Sequence, residues 1–275
     1  MRPQKSKTAP GIGAVFILET GSLTTENNLP MHLLKKPATL FAIVSASILC
    51  VFATDKNSSG NAGHKPVAVS AEKRITAENN AALFSELHLS DAGMNQTVFN
   101  SALQGLKKLD STGVIANDSV ITIIDFSQPS DKKRLYVLNL ASKQLLFNTL
   151  VAHGRNSGKL WTNSFSNSLS SLKSSPGFYV TGETYMGDNG YSLRLDGEEK
   201  NINDNARARS IVMHGAPYVD ESSINALGFL GRSWGCPAIP LSLHKAIINT
   251  IKDGTCLFIY SSDKNYKRRS TVLNS

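Results

Sequence analysis

The chain has 275 residues, of which 41% are hydrophobic and 18% charged, and its 29 Lys and Arg against 21 Asp and Glu give a formal charge of +8. This composition excludes a disordered polypeptide and fits one sizeable folded domain with appendages. The positive excess suits an acidic polymer or surface as partner, but no helix-turn-helix pattern, zinc knuckle or aromatic RNA-binding strand argues for nucleic acid.

Residues 1–30 read as a polar preface: either translation begins at Met31, or the preface is not part of the working protein. The following stretch, "MHLLKKPATLFAIVSASILCVFATDK", places Lys35 and Lys36 before an uncharged apolar run over 38–53. That run is shorter than the roughly 20 residues of a spanning helix. It has the length of a signal-peptide core, and Val51-Phe52-Ala53 supplies a cleavage site. Residues 31–53 are therefore expected to be a signal peptide or, if uncleaved, a membrane anchor, the sole membrane contact this reading foresees. Leu49 precedes Cys50 where a lipoprotein signal requires Gly or Ala, which argues against lipidation. Removing residues 1–53 leaves 24 basic and 19 acidic residues, so the remainder stays at +5.

Residues 54–78 are polar and turn-rich, as in a linker. A short helical preface is expected over 79–113, where Val98, Phe99, Ala102, Leu103, Leu106 and Leu109 recur at helical spacing and Gly113 supplies a stop. The texture then changes to strands: "VITIIDF", "RLYVLNL", "LLFNTLVAHG", "GFYVTG", "YSLRL" after the turn pair Asn189-Gly190, "SIVMHG" and "CLFIY". One late helix is marked by Leu243, Ile247, Ile248 and Ile251 on one face, with Ser242 as the expected cap and Gly254 as the stop. The fold class read from this order is mostly β (α+β), with one or two packed helices, over 117–262. Residues 263–275 read as a basic polar tail.

The three cysteines are placed very differently. Cys50 lies in the apolar run, and Cys256 in "GTCLFIY" has the setting of a small buried hydrophobe. Cys236 stands in "GRSWGCPAIP", a turn bounded by Gly235 and Pro237 and ill suited to simple core packing. In an oxidising compartment Cys236 and Cys256 could pair. Alternatively, Cys236 is a nucleophile, which profits from a histidine because a free thiol with a pKa near about 8.5 is only partly thiolate at neutral pH. His214, ending the strand "SIVMHG", is the candidate partner. No metal-ligating spacing of His or Cys occurs, and no cofactor is implied. His64, His88 and His244 have no partner pattern.

"HGA" at His214 followed by "SWGC" at Ser233 to Cys236 resembles the signature of the L,D-transpeptidase (YkuD-type) catalytic domain. "VAHGRNSG" and "SSPGFYV" stand where that family has a glycine loop and a Pro-Gly turn, and the resemblance is nearest to the murein L,D-transpeptidase subgroup. It implies an L,D-transpeptidase-like β-sandwich that acts on peptidoglycan stem peptides in the periplasm or envelope of a bacterium. Cys236 would be the nucleophile and His214 the base, with Ser233 bracing the loop or the histidine and Gly235 permitting a tight turn with oxyanion donors. Arg232, Trp234 and His153 would contact substrate. Two departures stand out: Trp234 replaces the usual His, and Ala238 replaces an Arg two residues after the cysteine. Arg232 is the candidate substitute, with Arg207 and Arg209 behind it. The same nucleophile would also serve an L,D-carboxypeptidase or a wall hydrolase, and a non-catalytic wall-binding or disulfide-bridged envelope protein remains a different class of reading.

Overall fold

The computed structural model describes residues 71–274; the preface, the expected signal segment and most of the expected linker lie outside them. Among the described residues no helix is long and apolar enough to cross a membrane. The described chain runs α1 (Ala71–Glu86), α2 (Gln96–Ser111), β1 (Asn117–Asp125), β2 (Leu135–Asn139), β3 (Gln144–Thr149), β4 (Gly177–Gly187) and β5 (Gly190–Gly197). It continues through β6 (Val212–Ala216), α3 (Glu221–Leu227), β7 (Ala238–Pro240), α4 (His244–Ile251), β8 (Thr255–Tyr260) and α5 (Lys264–Arg269).

The strands form one eight-stranded sheet in the order β3-β2-β1-β8-β4-β5-β6-β7, parallel at β1–β8 and β6–β7 and antiparallel elsewhere. Strands β1 and β8 read as nearly continuous apolar runs because both faces are covered. Ile121, Ile123, Cys256 and Phe258 face a core shared with α2, while Val120, Ile124, Leu257 and Ile259 face a second core shared with α4. That second core also takes Met213 of β6 and Ile239 of β7, so the sheet must curl until its distant strands face β1. Beyond β3 the chain reaches β7 through the bridge Ala152–Ala238 and the loop before it through Gly154–Ser233, and nearly closes the sheet. The result is the mostly β fold expected, drawn as one curled sheet rather than two separate ones.

The helices expected as a preface are built into this body. Asn95 caps α2 by accepting from the Thr97 N–H, and Val98, Phe99, Ala102, Leu106 and Leu109 are buried against the sheet. Gly105 lies so close to Phe178 that a Cβ there would come within 2.0 Å of the ring. The terminal segment expected as a polar tail also packs: α5 buries Tyr266, whose hydroxyl donates to the buried Glu199 at 3.1 Å. Ser242 does not cap α4; Leu243 occupies the cap position without a side-chain bond.

Candidate active site

Cys236 sits at the seam where the sheet nearly closes. Here the Ala152 N–H donates to the Ala238 carbonyl at 2.8 Å, Ser233 N–H to His153 O at 3.0 Å, and Arg155 N–H to Ser233 O at 2.8 Å. The loop between Ser233 and Ala238 is then braced internally. Ser233 Oγ donates to the Cys236 carbonyl at 2.6 Å and accepts from the Gly235 N–H at 3.1 Å. From below, the buried Ser174 hydroxyl donates to Gly235 O and accepts from the Gly154 N–H, each at 3.0 Å. Gly235 has φ of 131°, and a Cβ there would lie 2.9 Å from Lys173 O, so both backbone and space demand glycine. One expectation is corrected: the Gly235 N–H is committed to Ser233 and is not a spare oxyanion donor. Ser233 braces the loop, not the histidine.

The Cys236 sulfur is half-buried and receives the Val212 N–H at 3.4 Å, with Ser210 O at 3.6 Å. Burial pushes the thiol pKa up, while the Val212 N–H and the Arg209 guanidinium act to lower it. Cys236 and the buried Cys256 are both free thiols, which removes the disulfide alternative.

His214, in β6, is buried and stands in register with Ala238 of β7, two residues past Cys236. Its Nδ1 lies 3.0 Å from the Gly215 carbonyl, which can only accept, so Nδ1 carries the hydrogen of the neutral ring and Nε2 is left as the basic nitrogen. Burial lowers its pKa, the Gly215 carbonyl opposes this, and His244 adds to the lowering. His244 is thus closer to the site than its lack of a sequence pattern implied: a Cβ on Gly215 would come within 2.7 Å of the His244 ring.

The three expected substrate contacts are dispersed. Trp234 is 74% exposed and lines a depression of about 250 Å³ with Leu169, Ser170, Leu172, Arg209 and Ser210. This depression adjoins the thiol, since Ser210 O is a sulfur contact. Arg232 faces a different groove, its Nη1 donating to Arg155 O and Gly158 O, each at 3.0 Å. His153 does not line a cleft at all. It is fully buried, with Nδ1 2.8 Å from Arg134 Nη2, and burial together with the Arg134 charge drives its pKa down to about 3.

Two residues that carry the site were not singled out by pattern. Arg134, fully buried, also donates to the carbonyls of Val151 and Gln128 and to Thr162 Oγ1, fastening the strand that leads into the seam. Ser174 was visible only as part of "SSPGFYV". Of the arginines weighed as substitutes, Arg207 is committed to Asp196 and Glu183 on the exposed surface of β4 and β5. Arg209 reaches the site: Nη1 donates to Ser166 O at 2.8 Å and Ser175 Oγ at 2.5 Å, and Nη2 to Ser171 Oγ at 3.2 Å and to Lys173 O. Among the described residues no cluster of three His, Cys, Asp or Glu is placed to hold a metal.

A curled, mostly β sheet presenting a cysteine loop beside a strand-borne histidine defines the class of protein. The L,D-transpeptidase catalytic domain family (YkuD_2) matches residues 90–260, more than half of the chain, and the chain belongs to that family. Among solved structures it is similar to an L,D-transpeptidase from Mycobacterium smegmatis at 10% identity, over 52% of this chain and 59% of that one, with a TM-score of 0.34. L,D-transpeptidase 3 from Mycobacterium tuberculosis gives 12%, 52%, 61% and 0.32 in the same order, and the Stackebrandtia nassauensis L,D-transpeptidase 16%, 60%, 66% and 0.31. The chain thus spans less than two thirds of the length of each of these structures. No curated protein sequence matches it.

Proposed function

We propose that the chain is an exported cysteine acyltransferase that forms 3-3 cross-links between peptidoglycan stem peptides. The observation that carries this reading is the His214 ring, whose Nδ1–H is tied to Gly215 O so that a neutral Nε2 is available as base on the strand beside the Cys236 loop. Sγ attacks the carbonyl carbon of the third stem residue while its proton passes to His214 Nε2. The tetrahedral intermediate collapses, the bond to the terminal D-alanine nitrogen breaks, and His214 returns the proton to that leaving amine. The side-chain amine of an acceptor stem then attacks the thioester, yields a proton to His214, and releases the cross-link as the thiol is re-formed. With Gly235 N–H engaged by Ser233 Oγ, the Cys236 N–H is the loop amide assigned to the oxyanion.

Incubation of the full chain with disaccharide-tetrapeptide, followed by mass spectrometry, tests the reading. A covalent tripeptide adduct and cross-linked dimers are expected, both absent in Cys236→Ala, with adduct formation slowed about 100- to 10,000-fold in His214→Gln. The active protein recovered from bacterial envelopes is expected to begin after Ala53. Tripeptide without dimer would assign a carboxypeptidase, cleavage of existing cross-links a hydrolase, and dimers formed by Cys236→Ala would overturn the mechanism.

A further inference from the structure

The C-terminal helix presents a strongly charged face. In α5 the side chains of Lys264, Lys267, Arg268 and Arg269 are exposed, while Tyr266 is buried. Arg269 Nη2 donates to Asn201 O at 2.8 Å, which brings the exposed Lys200 beside them. None of these cations is in an ion pair among the described residues, whereas Lys143, Arg194, Arg207 and Lys252 each are. The carboxylates of this surface hold backbone amides: Asp263 caps α5 by accepting from the Asn265 N–H, and Asp204 accepts from the Asn201 N–H, each at 2.9 Å.

Helix stability does not account for this charge. Cations in a last turn complement the helix dipole, but Lys264 stands in the first turn, where a cation is disfavoured, and Lys200 belongs to another segment. The helix is held by other groups: the buried Glu199 accepts from the Tyr266 hydroxyl at 3.1 Å and from Ser270 Oγ, and Asn274 Nδ2 donates to Lys267 O at 2.8 Å and Ser270 O at 2.9 Å. With its inner side so occupied, α5 has no apolar face to insert into lipid. The outer side carries no apolar anchor of the kind that dominates protein interfaces, since the exposed large hydrophobics, such as Trp161, Met186 and Trp234, lie on other segments. Arg269 borders a depression of about 90 Å³, well below the about 300 to 1,000 Å³ of a ligand site. Exposed cations that surround neither an apolar anchor nor a ligand-sized cavity suit a broad anionic surface.

We propose that this face rests against an anionic phospholipid bilayer and holds the chain reversibly at the membrane surface by charge alone. A chain that begins after Ala53 keeps no part of the apolar run at 38–53. The cations of α5 and Lys200 then supply the attraction, each adding to the pull of the lipid phosphates within a Debye length of the surface. This membrane contact is separate from the anchor expected over 31–53 and lies in the segment that reads in sequence as a polar tail. Cys236 and His214 take no part in it, so membrane contact and acyl transfer are tested independently.

Co-sedimentation of the full chain with phosphatidylglycerol-containing vesicles and with pure phosphatidylcholine vesicles tests this. Because residues 38–53 are apolar, the readout is the ratio of the two partition coefficients. A ratio of about 1,000 is expected at about 0.1 M salt, falling toward one at about 1 M as the Debye length shrinks from about 10 Å to about 3 Å. Lys264→Gln/Lys267→Gln/Arg268→Gln should lower the ratio about 100-fold with an unchanged urea midpoint, Arg269 being left to bond Asn201. Lys200→Glu, on the neighbouring turn, should lower it about tenfold or more by itself, which keeps the test decisive if the triple variant unfolds. Lys132→Gln/Lys133→Gln/Lys245→Gln removes the same charge from exposed positions elsewhere and should cost less than about threefold. Equal partition into the two vesicles, binding that survives about 1 M salt, or an equal loss in the Lys132, Lys133 and Lys245 variant would overturn the proposal. So would release of the α5 variant from purified peptidoglycan while its vesicle ratio is unchanged, which would assign the face to the wall polymer.

Discussion

At the scale of single residues, the site depends on which groups burial keeps neutral. His153 refuses a proton until about pH 3, because it is buried beside Arg134, which donates to its Nδ1. In the unfolded chain the same ring titrates at its ordinary 6.5. Below pH 6.5 the unfolded state therefore binds one proton more than the fold, so this contribution to stability is complete above 6.5 and declines as pH falls toward 3. Between pH 7 and pH 5 it should cost about 2 kcal/mol, read as the shift in urea midpoint. His153→Gln, which keeps an acceptor for Arg134, should flatten that dependence by about one proton; an unchanged slope would refute the assignment. His153 and Cys236 illustrate opposite legibility. The Gly-Pro setting advertised the cysteine, whereas "VAHG" could not tell that its histidine faces inward, because the Arg134 partner lies 19 residues away.

At the scale of elements, the segment 164–175 forms one wall of the thiol depression and is pinned by one guanidinium. Ser170 and Leu172 adopt φ of 54° and 55°, a left-handed backbone that non-glycine residues hold only when neighbours impose it. Arg209 and Asn156 supply that constraint: Arg209 grips Ser166, Ser171, Lys173 and Ser175, and Asn156 bonds Ser171 O and Leu172 O. Arg209 is thus a positioning residue that also places charge near the thiol. Arg209→Lys keeps the charge without the fork, and should slow cross-linking about tenfold or more while leaving the pH midpoint of Cys236 alkylation nearly unchanged. Arg209→Met should slow cross-linking and also move that midpoint upward. A midpoint that shifts equally in both variants would remove the positioning role. The periodicity of α2 and most strands was plain in sequence, but β7 was not: three residues, Ala238–Pro240, form a strand only because β6 and Ala152 lie on either side.

At the scale of the whole molecule, α2 and the seam that carries Cys236 belong to one folded body. Gly105 admits the Phe178 ring against α2, and Phe178 stacks on Phe258 at 4.1 Å in the middle of the sheet. Gly105→Ala should therefore cost about 1–3 kcal/mol in denaturant or thermal unfolding through overpacking; an unaltered midpoint would mean that α2 docks loosely. Hydrophobic period, turn residues and the His-Gly and Ser-Trp-Gly-Cys strings are properties of neighbours along the chain. They sufficed for a mostly β domain, its helix faces and the pairing of a glycine-bounded cysteine loop with a strand-borne histidine, because each depends on residues a few positions apart. The closure of the segment after β3 onto β7, the burial of His153 on Arg134 and the reach of Arg209 to the Cys236 loop depend on contacts 19 to 86 residues apart. No local pattern encodes those distances; they exist only once the curled sheet brings its edges together.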